Sequence, residues 1–450
     1  MDIGIDWLIE RFASAREKIA FIHHGTPFSY GEMVDRTSTL EQQLRDAGVG
    51  HHDTVVVLAD YAPEVVCMLL ALARLRATIV PMTRGSVIEE SEVLGISGCT
   101  RRIAFAPDGN TWNLKTCKKS VNNPLMDEFR RASANPGLVL FSSGSTGKPK
   151  GILHDFWRVM DRFKVQRAPV VAIPFLLLDH FGGINTILAI TSNLGTVVTT
   201  ENRLLPTICA AIEKYQVDLL PTTPSFLTML AATDLPRRYA LSSLKRITYG
   251  TETMPQTTLD RIRELFPTAE LQQTYGLSEV GVLRSQSRAD GSLWVRIGGQ
   301  GFETQVREGI LWVRSEFCMV GYLNAPSAFD DEGWFNTQDR VEVDGEWFKI
   351  LGRVTDLINV AGQKVYPAEV EDVILQLPNV ADVVVKGEKN TLLGQIVVAH
   401  VALSRPEPLP ELRARVRAAC RSKLTDYKVP VKVVLMEAEM YSARFKKVRK

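Results

Sequence analysis

The sequence predicts an α/β protein: a large N-terminal domain of mixed sheets with helices and an antiparallel section, followed by a small α+β C-terminal domain. Three observations carry this. The chain has 450 residues, beyond the roughly 250 to 300 at which one hydrophobic core stops growing, so at least two domains are required. Up to about residue 290, short β-branched runs alternate with apolar-periodic helical stretches, the pattern of parallel strand–helix–strand units. After about Gly291 the texture turns to short alternating strands, and it changes again after Arg353.

The elements follow in order. TVVVLAD from Thr54, the apolar-periodic stretch Pro63–Leu75 and then ATIVPM read as strand, helix and strand in the span of one parallel unit. VVAIPFLLL (170–178), GTVVTT (195–200) and DLLPTT (218–223) read as buried strands, with ICAAIEKY (208–215) as a helix between the last two. Leu244–Thr248 reads as a strand, Gln256–Leu265 as a helix and Glu270–Thr274 as the next strand. LWVRI, ILWVRS and EWFKIL, separated by Asp-Gly and Glu-Gly turns, predict antiparallel pairing. Beyond Arg353, EVEDVILQL (369–377) reads as an amphipathic helix, ADVVVKG and GQIVVAHVAL as strands, and PEPLPELRARVRAACRSKL as a Pro-bounded turn and helix. The domains are therefore placed at 1–352 and 353–450, with the junction near Asp356.

Composition excludes several classes. Hydrophobic residues make up 45% and charged residues 23%, the balance of an ordinary globular protein. The 53 Lys+Arg against 51 Asp+Glu leave a net charge of +2, too little for a field that would collect nucleic acid or anionic lipid, so an anionic ligand must be met locally. Six scattered cysteines (Cys67, Cys99, Cys117, Cys209, Cys318, Cys420) form no CxxC pair and no zinc-ligand spacing, which predicts reduced thiols and a cytoplasmic setting. The N-terminal residues lack the apolar core of a secretory signal, and the longest apolar runs are far short of the roughly 20 residues needed to span a bilayer.

The chemistry starts at Phe141-Ser142-Ser143-Gly144-Ser145-Thr146-Gly147-Lys148-Pro149-Lys150-Gly151. Glycines let a backbone approach phosphate oxygens closely, and hydroxyls and lysines add donors and charge. The stretch is not a Walker A loop, because Ser142 stands where that loop needs glycine and Pro149 where it needs Ser or Thr. It resembles the signature of the adenylate-forming superfamily, which includes acyl- and aryl-CoA synthetases, firefly luciferase and peptide-synthetase adenylation domains. The resemblance implies that Ser142, Ser143, Ser145, Thr146 and Lys150 grip the β- and γ-phosphates of ATP, with Gly144 and Gly147 giving the close approach.

The resemblance extends to Thr274-Tyr275-Gly276-Leu277-Ser278-Glu279, similar to the family's Tyr-Gly-x-Thr-Glu with serine for threonine. It implies adenine stacking by Tyr275, a phosphate hydrogen bond from Ser278 and Mg²⁺ held by Glu279; a carboxylate suits a hard cation shared with phosphates. Upstream, Tyr249-Gly250-Thr251 stands where the family has a Gly-Gly-Ala-like turn beside the base, keeping one glycine. The stretch GWFNTQDR to VYPAEVE (333–371) resembles three further family motifs in unbroken order, with Gln338 replacing a glycine. There the resemblance implies that Asp339 binds the ribose hydroxyls and Arg353 a ribose or phosphate oxygen. It also makes Asp356 a hinge about which a mobile small domain swings, and Gly362 part of a thiol-access tunnel.

Two places stay open. Asp179-His180-Phe181-Gly182 can be set on the family's acid pocket in two registers: Asp179 facing inward suits an ammonium-bearing amino acid, while His180 or Phe181 suits a neutral acyl or aryl acid. At the C-terminus, Lys447 takes the position of the family's adenylation lysine, although Lys446 stands where glycine is usual, and Lys446 is the alternative. The resemblance implies an AMP-forming acid–thiol ligase using ATP and Mg²⁺. Its partner is a small-molecule carboxylic acid and its acceptor coenzyme A or the phosphopantetheine of an acyl or peptidyl carrier protein. An amide-forming or stand-alone amino-acid-adenylating enzyme and a nucleotide-binding pseudoenzyme are the alternatives. No nucleic-acid partner or membrane span is expected.

Overall fold

The computed structural model describes residues 4–117, 123–142, 148–299, 301–436 and Lys447. The predicted strand–helix–strand unit forms as read: Thr54–Leu58 and Thr78–Met82 pair in parallel with Val55 opposite Ile79, and helix Pro63–Arg74 makes the crossover. Proline at the helix start removes only an N–H that would have had no partner there. Val55, Val56 and Val57 are all fully buried, because helices cover both faces of this sheet. The sheet has seven strands in the order Gly321–Tyr322, Lys150–Asp155, Gly137–Ser142, Thr78–Met82, Thr54–Leu58, Arg101–Phe105 and Trp112–Thr116. Its edge strand Gly321–Tyr322 comes from far along the chain.

A second seven-stranded sheet runs Glu270–Gln273, Arg246–Tyr249, Leu219–Thr222, Val171–Ala172, Thr196–Val198, Ile19–His23 and Thr26–Ser29. All its pairs are parallel except the last. One expectation fails here. The apolar run 170–178 yields only the two-residue strand Val171–Ala172. Pro174 cannot donate to a ladder, so the rest packs as irregular core, with Ile173, Phe175 and Leu178 buried. Helices Leu205–Tyr215 and Gln256–Leu265 stand where their periodicity places them.

The section after Gly291 is antiparallel: six strands ordered Ser285–Ser287, Trp294–Ile297, Trp347–Arg353, Phe335–Asp344, Ile310–Ser315 and Phe302–Arg307. A further sheet belongs to the small C-terminal domain. It pairs Gln363–Val365, Ile358–Val360, Gly394–Leu403 and Val380–Asn390, with Lys432–Leu435 added in parallel to Gly394–Leu403. Helices Pro367–Leu375 and Leu409–Lys423 pack on it around a separate apolar core that includes Val365, Ile374, Val385 and Leu412. Contacts that dock this unit on the large domain include Thr257 N–H to Asp372 Oδ1 at 2.8 Å, Arg261 Nη2 to the Leu375 carbonyl at 2.6 Å, and Lys447 N–H to Glu252 Oε1 at 2.6 Å. Among the described residues, no helix is long and apolar enough to cross a membrane.

Candidate active site

The phosphate-loop stretch spans the turn between two paired strands, Gly137–Ser142 and Lys150–Asp155, whose ends meet at Ser142 opposite Lys150. Ser143, Gly144, Ser145, Thr146 and Gly147 lie outside the described residues. The base of the loop is held by a residue the sequence did not flag. Asn324 donates to the Pro149 carbonyl at 2.8 Å and accepts from the Gly151 N–H at 3.0 Å. Two residues earlier, Tyr322 carries the Lys150 ammonium 4.8 Å above its ring and donates its hydroxyl to Glu279 Oε1 at 2.9 Å. Lys150, Tyr322 and Glu279 thus form one chain of contacts, with the ammonium on the electron-rich ring face.

Next to it lies a second chain. Tyr275 donates to Asp339 Oδ2 at 2.6 Å, and Arg353 Nε stands 3.3 Å from Asp339 Oδ1. Asp339 is buried, and burial raises its carboxyl pKa above the ordinary value against the opposing pull of Arg353. Burial followed by the Asp339 charge raises the Tyr275 phenol, which keeps it a proton donor. Thr337 ties down the backbone of Asp339: its hydroxyl donates to the Leu311 carbonyl at 2.6 Å and accepts the Asp339 N–H at 3.0 Å. Gln338, at the position of the family's glycine, has φ +61°, so it accepts the left-handed backbone that glycine adopts without cost.

The motif segments around residues 250 and 275 lie side by side. The Thr274 N–H donates to the Tyr249 carbonyl at 2.7 Å, and a Cβ on Gly250 would stand 2.5 Å from the Thr274 carbonyl oxygen. Thr251 follows at φ +72°, a strained conformation for a β-branched residue. Tyr275–Leu277 pairs with Gly281–Leu283 as a short hairpin; a Cβ on Gly276 would come within 2.6 Å of the Gly281 carbonyl oxygen. The hairpin carries Ser278 and Glu279 across its turn. The Ser278 carbonyl accepts from His154 Nε2 at 2.7 Å. Burial pushes His154 down to about 4, so it is a neutral spacer under the turn. Nothing around His154 in the sequence pointed to this contact.

On the acid side the two open registers have different surroundings. Asp179 is buried and accepts from the Thr83 hydroxyl at 3.0 Å, while His180 Nε2 lies 3.8 Å from Asp179 Oδ1. Phe181 starts helix Phe181–Ser192 and lies 5.0 Å, centroid to centroid, from His154. A Cβ on Gly281 would be 3.0 Å from the Phe181 ring, so Phe181 faces the hairpin that bears Leu277. Gly182 is tight for a different reason, a Cβ there meeting Leu176 Cδ1 at 2.7 Å.

Lys447 stands apart from these chains. Its side chain is 5% exposed and its ammonium sits in the small domain, 2.8 Å from the Val383 carbonyl, 3.4 Å from Glu371 and 3.3 Å from Asp382. Asp356 ends an exposed one-turn 3₁₀ segment, Val354–Asp356. Gly362, at φ +88° with open space around it, tips the hairpin between Ile358–Val360 and Gln363–Val365. Lys446 lies outside the described residues.

The residues fit a nucleotide with a magnesium ion. Among the described residues no three His, Cys, Asp or Glu side chains converge on a metal site, and Mg²⁺ needs none, since one carboxylate plus phosphate oxygens and water is its usual set. Glu279 and Asp339 both lie close enough to Arg353 for their charges to act on it. Such a combination defines an adenylate-forming enzyme, with a large mixed-sheet domain and a small α+β domain. The chain belongs to the AMP-binding enzyme family, whose model matches residues 9–323, and the model of the AMP-binding enzyme C-terminal domain matches residues 369–446. It is 25% identical to indoleacetate–CoA ligase of Aromatoleum aromaticum over 99% of this chain and 96% of that one. It is 26% identical to 2-succinylbenzoate–CoA ligase of Bacillus subtilis over 96% of this chain and 94% of that one. In fold it is similar to the crystal structure of the anthranilate CoA ligase AuaEII in complex with anthranoyl-AMP, at TM-score 0.82 and 18% identity over 99% of this chain and 96% of that one.

Proposed function

We propose that this protein activates an aryl or medium-length acyl carboxylic acid with ATP and Mg²⁺ and passes the acyl group to the thiol of coenzyme A. The observation that carries the reading is the contact chain Lys150–Tyr322–Glu279 beside Tyr275–Asp339–Arg353. It supports Lys150 as the phosphate-side cation, Glu279 as the carboxylate for the metal and Asp339 as the carboxylate for the ribose diol.

In the first step a carboxylate oxygen attacks the α-phosphorus of ATP, the bond from that phosphorus to the bridging oxygen breaks, and pyrophosphate leaves with the electron pair. No protein nucleophile takes part, so the residues act by position and charge. Glu279 would hold Mg²⁺, which when bound neutralises the leaving phosphates. Asp339 would accept from the ribose hydroxyls, and Ser142 and Lys150 would contact the β- and γ-phosphates. In the second step a thiol sulfur attacks the acyl carbon, AMP leaves with the electrons of the acyl–oxygen bond, and the thiol proton passes to solvent.

Lys447 is the candidate for steadying the reacting oxygens. The small domain would turn about Asp356, a domain motion that separates two half-reactions, and within that domain the Lys447 ammonium would also have to leave Glu371 and Asp382. The test is acid-dependent exchange of labelled pyrophosphate into ATP over a panel of aryl, fatty and amino acids, followed by thioester formation with coenzyme A. Exchange with aryl or fatty acids supports the reading; exchange with amino acids alone returns it to the Asp179 register; exchange with no acid rejects it.

A further inference from the structure

Two of the six cysteines meet in the fold although 18 positions separate them. Cys99 Sγ and Cys117 Sγ lie 3.4 Å apart, and among the described residues no other two cysteine sulfurs are in contact. The backbone brings them together from two sides. Helix Glu90–Ser97 ends on Gly98 in the left-handed conformation, at φ +65°, and that turn delivers Cys99 to the head of strand Arg101–Phe105. The strand pairs antiparallel with Trp112–Thr116, Arg101 opposite Thr116, and the Cys117 N–H extends the ladder to the Thr100 carbonyl at 2.9 Å. Around them the Cys99 N–H donates to the Leu94 carbonyl at 3.1 Å. The Thr100 hydroxyl donates to Asp53 Oδ1 at 2.7 Å and accepts the Thr54 N–H at 3.0 Å. Both cysteines therefore start from backbone that is tied down.

The two sulfurs differ in access. Cys99 is buried in an apolar cluster with Val56, Val80, Val139 and Phe141, and Cys117 packs against that cluster, half-buried. The Cys99 S–H donates to the Arg101 carbonyl at 3.0 Å, so the proton between the sulfurs is that of Cys117. Burial, then the contact with Cys117, pushes the Cys99 thiol up to about 12, so Cys99 is not the sulfur that meets a reagent first. Arg102, held by Glu90 at 3.2 Å, is near enough to both sulfurs for their charges to act on it, and it is the cation a thiolate here would face. A disulfide holds its sulfurs about 2.05 Å apart, about 1.4 Å closer than these stand, a gap small enough for side-chain rotation to close without moving the paired strands.

We propose that Cys99 and Cys117 are a redox modification site, which a small-molecule disulfide such as oxidised glutathione converts to an intramolecular disulfide. The bond staples the edge hairpin of the sheet that bears the phosphate loop. The Cys117 thiolate attacks one sulfur of the reagent, the first glutathione leaves as a thiolate, and a mixed disulfide stands on Cys117. The Cys99 sulfur then attacks Cys117 Sγ, its proton passing to solvent, and the second glutathione leaves as a thiolate. Two protein thiols are oxidised and one reagent disulfide is reduced to two thiols. Excess small-molecule thiol runs the same exchange backwards, so the staple is reversible.

The experiment treats the native full-length protein with oxidised glutathione, quenches with acid, alkylates under denaturing conditions and maps the peptides by mass spectrometry. In wild type the six alkylatable thiols are expected to fall by two, with Cys99 and Cys117 recovered as one linked peptide pair, and dithiothreitol is expected to restore both. In C99A the reaction should stop at a glutathione adduct on Cys117, and in C117A Cys99 should stay a thiol. Wild-type protein that keeps all its thiols overturns the proposal, as does one that ends with glutathione on Cys117 and no link, or that links other cysteines instead. Glutathione on Cys99 in C117A, or no adduct in C99A, overturns the order of the two steps. The wild-type map decides the link by itself even where a variant fails to fold. No substrate is used, so the result stands apart from the acid-activation reading.

Discussion

Glu279 and His154 are two side chains of the site that act in different ways, and each has its own test. Glu279→Gln keeps the hydrogen bond from Tyr322 but removes the charge a cation needs; pyrophosphate exchange should fall by about a hundredfold or more, the scale of lost transition-state electrostatics, while the protein stays folded by circular dichroism. His154 has a folded-state pKa near 4, below its value in the unfolded chain. Its neutral form is therefore favoured by folding, and the contribution is full above about pH 6.5 and fades as pH falls toward 4. The span is worth about 3 kcal/mol, so urea unfolding from pH 7 to 4 should lose less stability in His154→Gln than in wild type. At this scale the sequence picked out Tyr275, Glu279, Asp339 and Arg353, residue types suited to a nucleotide, and the structure brings them together. It was silent on His154, Asn324 and Tyr322, because each acts through a backbone or side-chain contact between segments far apart in the chain.

Elements were legible in proportion to their periodicity. Helix Gln256–Leu265 stands where it was read, while the apolar run at 170–178 shortened to two strand residues because an unbroken apolar run fits buried irregular backbone as well as a strand. The site depends on how closely two elements approach. Gly250→Ala would push a methyl to 2.5 Å from the Thr274 carbonyl oxygen, backbone that cannot swing aside. We expect a stability loss of about 1–3 kcal/mol in chemical denaturation, with weaker ATP binding in the fraction that folds. Gln338→Gly should do the opposite on a small scale. Relief of a left-handed glutamine is offset by the freer unfolded chain, leaving stability within about 1 kcal/mol of wild type, checked by the same denaturation.

For the whole molecule, the question is how the small domain is held. Lys447 is nearly buried between Glu371 and Asp382, and removing one partner of a buried ion pair costs about 3–5 kcal/mol. Lys447→Ala should therefore loosen the small domain, seen as faster hydrogen exchange in Val380–Asn390, besides abolishing adenylation with ATP binding retained. Unchanged turnover in Lys447→Ala would remove Lys447 from its assigned role. The sequence singled out a tail lysine by resemblance but not where its ammonium sits, since Glu371, Asp382 and Val383 meet it only through tertiary packing. One feature of the large domain bears on how such a protein is made. The floor of the nucleotide loop is clamped by Asn324, which reaches back 175 residues to Pro149, and the edge strand Gly321–Tyr322 closes the sheet that bears the loop. During synthesis the loop leaves the ribosome long before its clamp does. A nascent chain arrested short of Gly321 should carry every glycine and hydroxyl of the phosphate signature yet retain no nucleotide, so binding competence arrives late in translation.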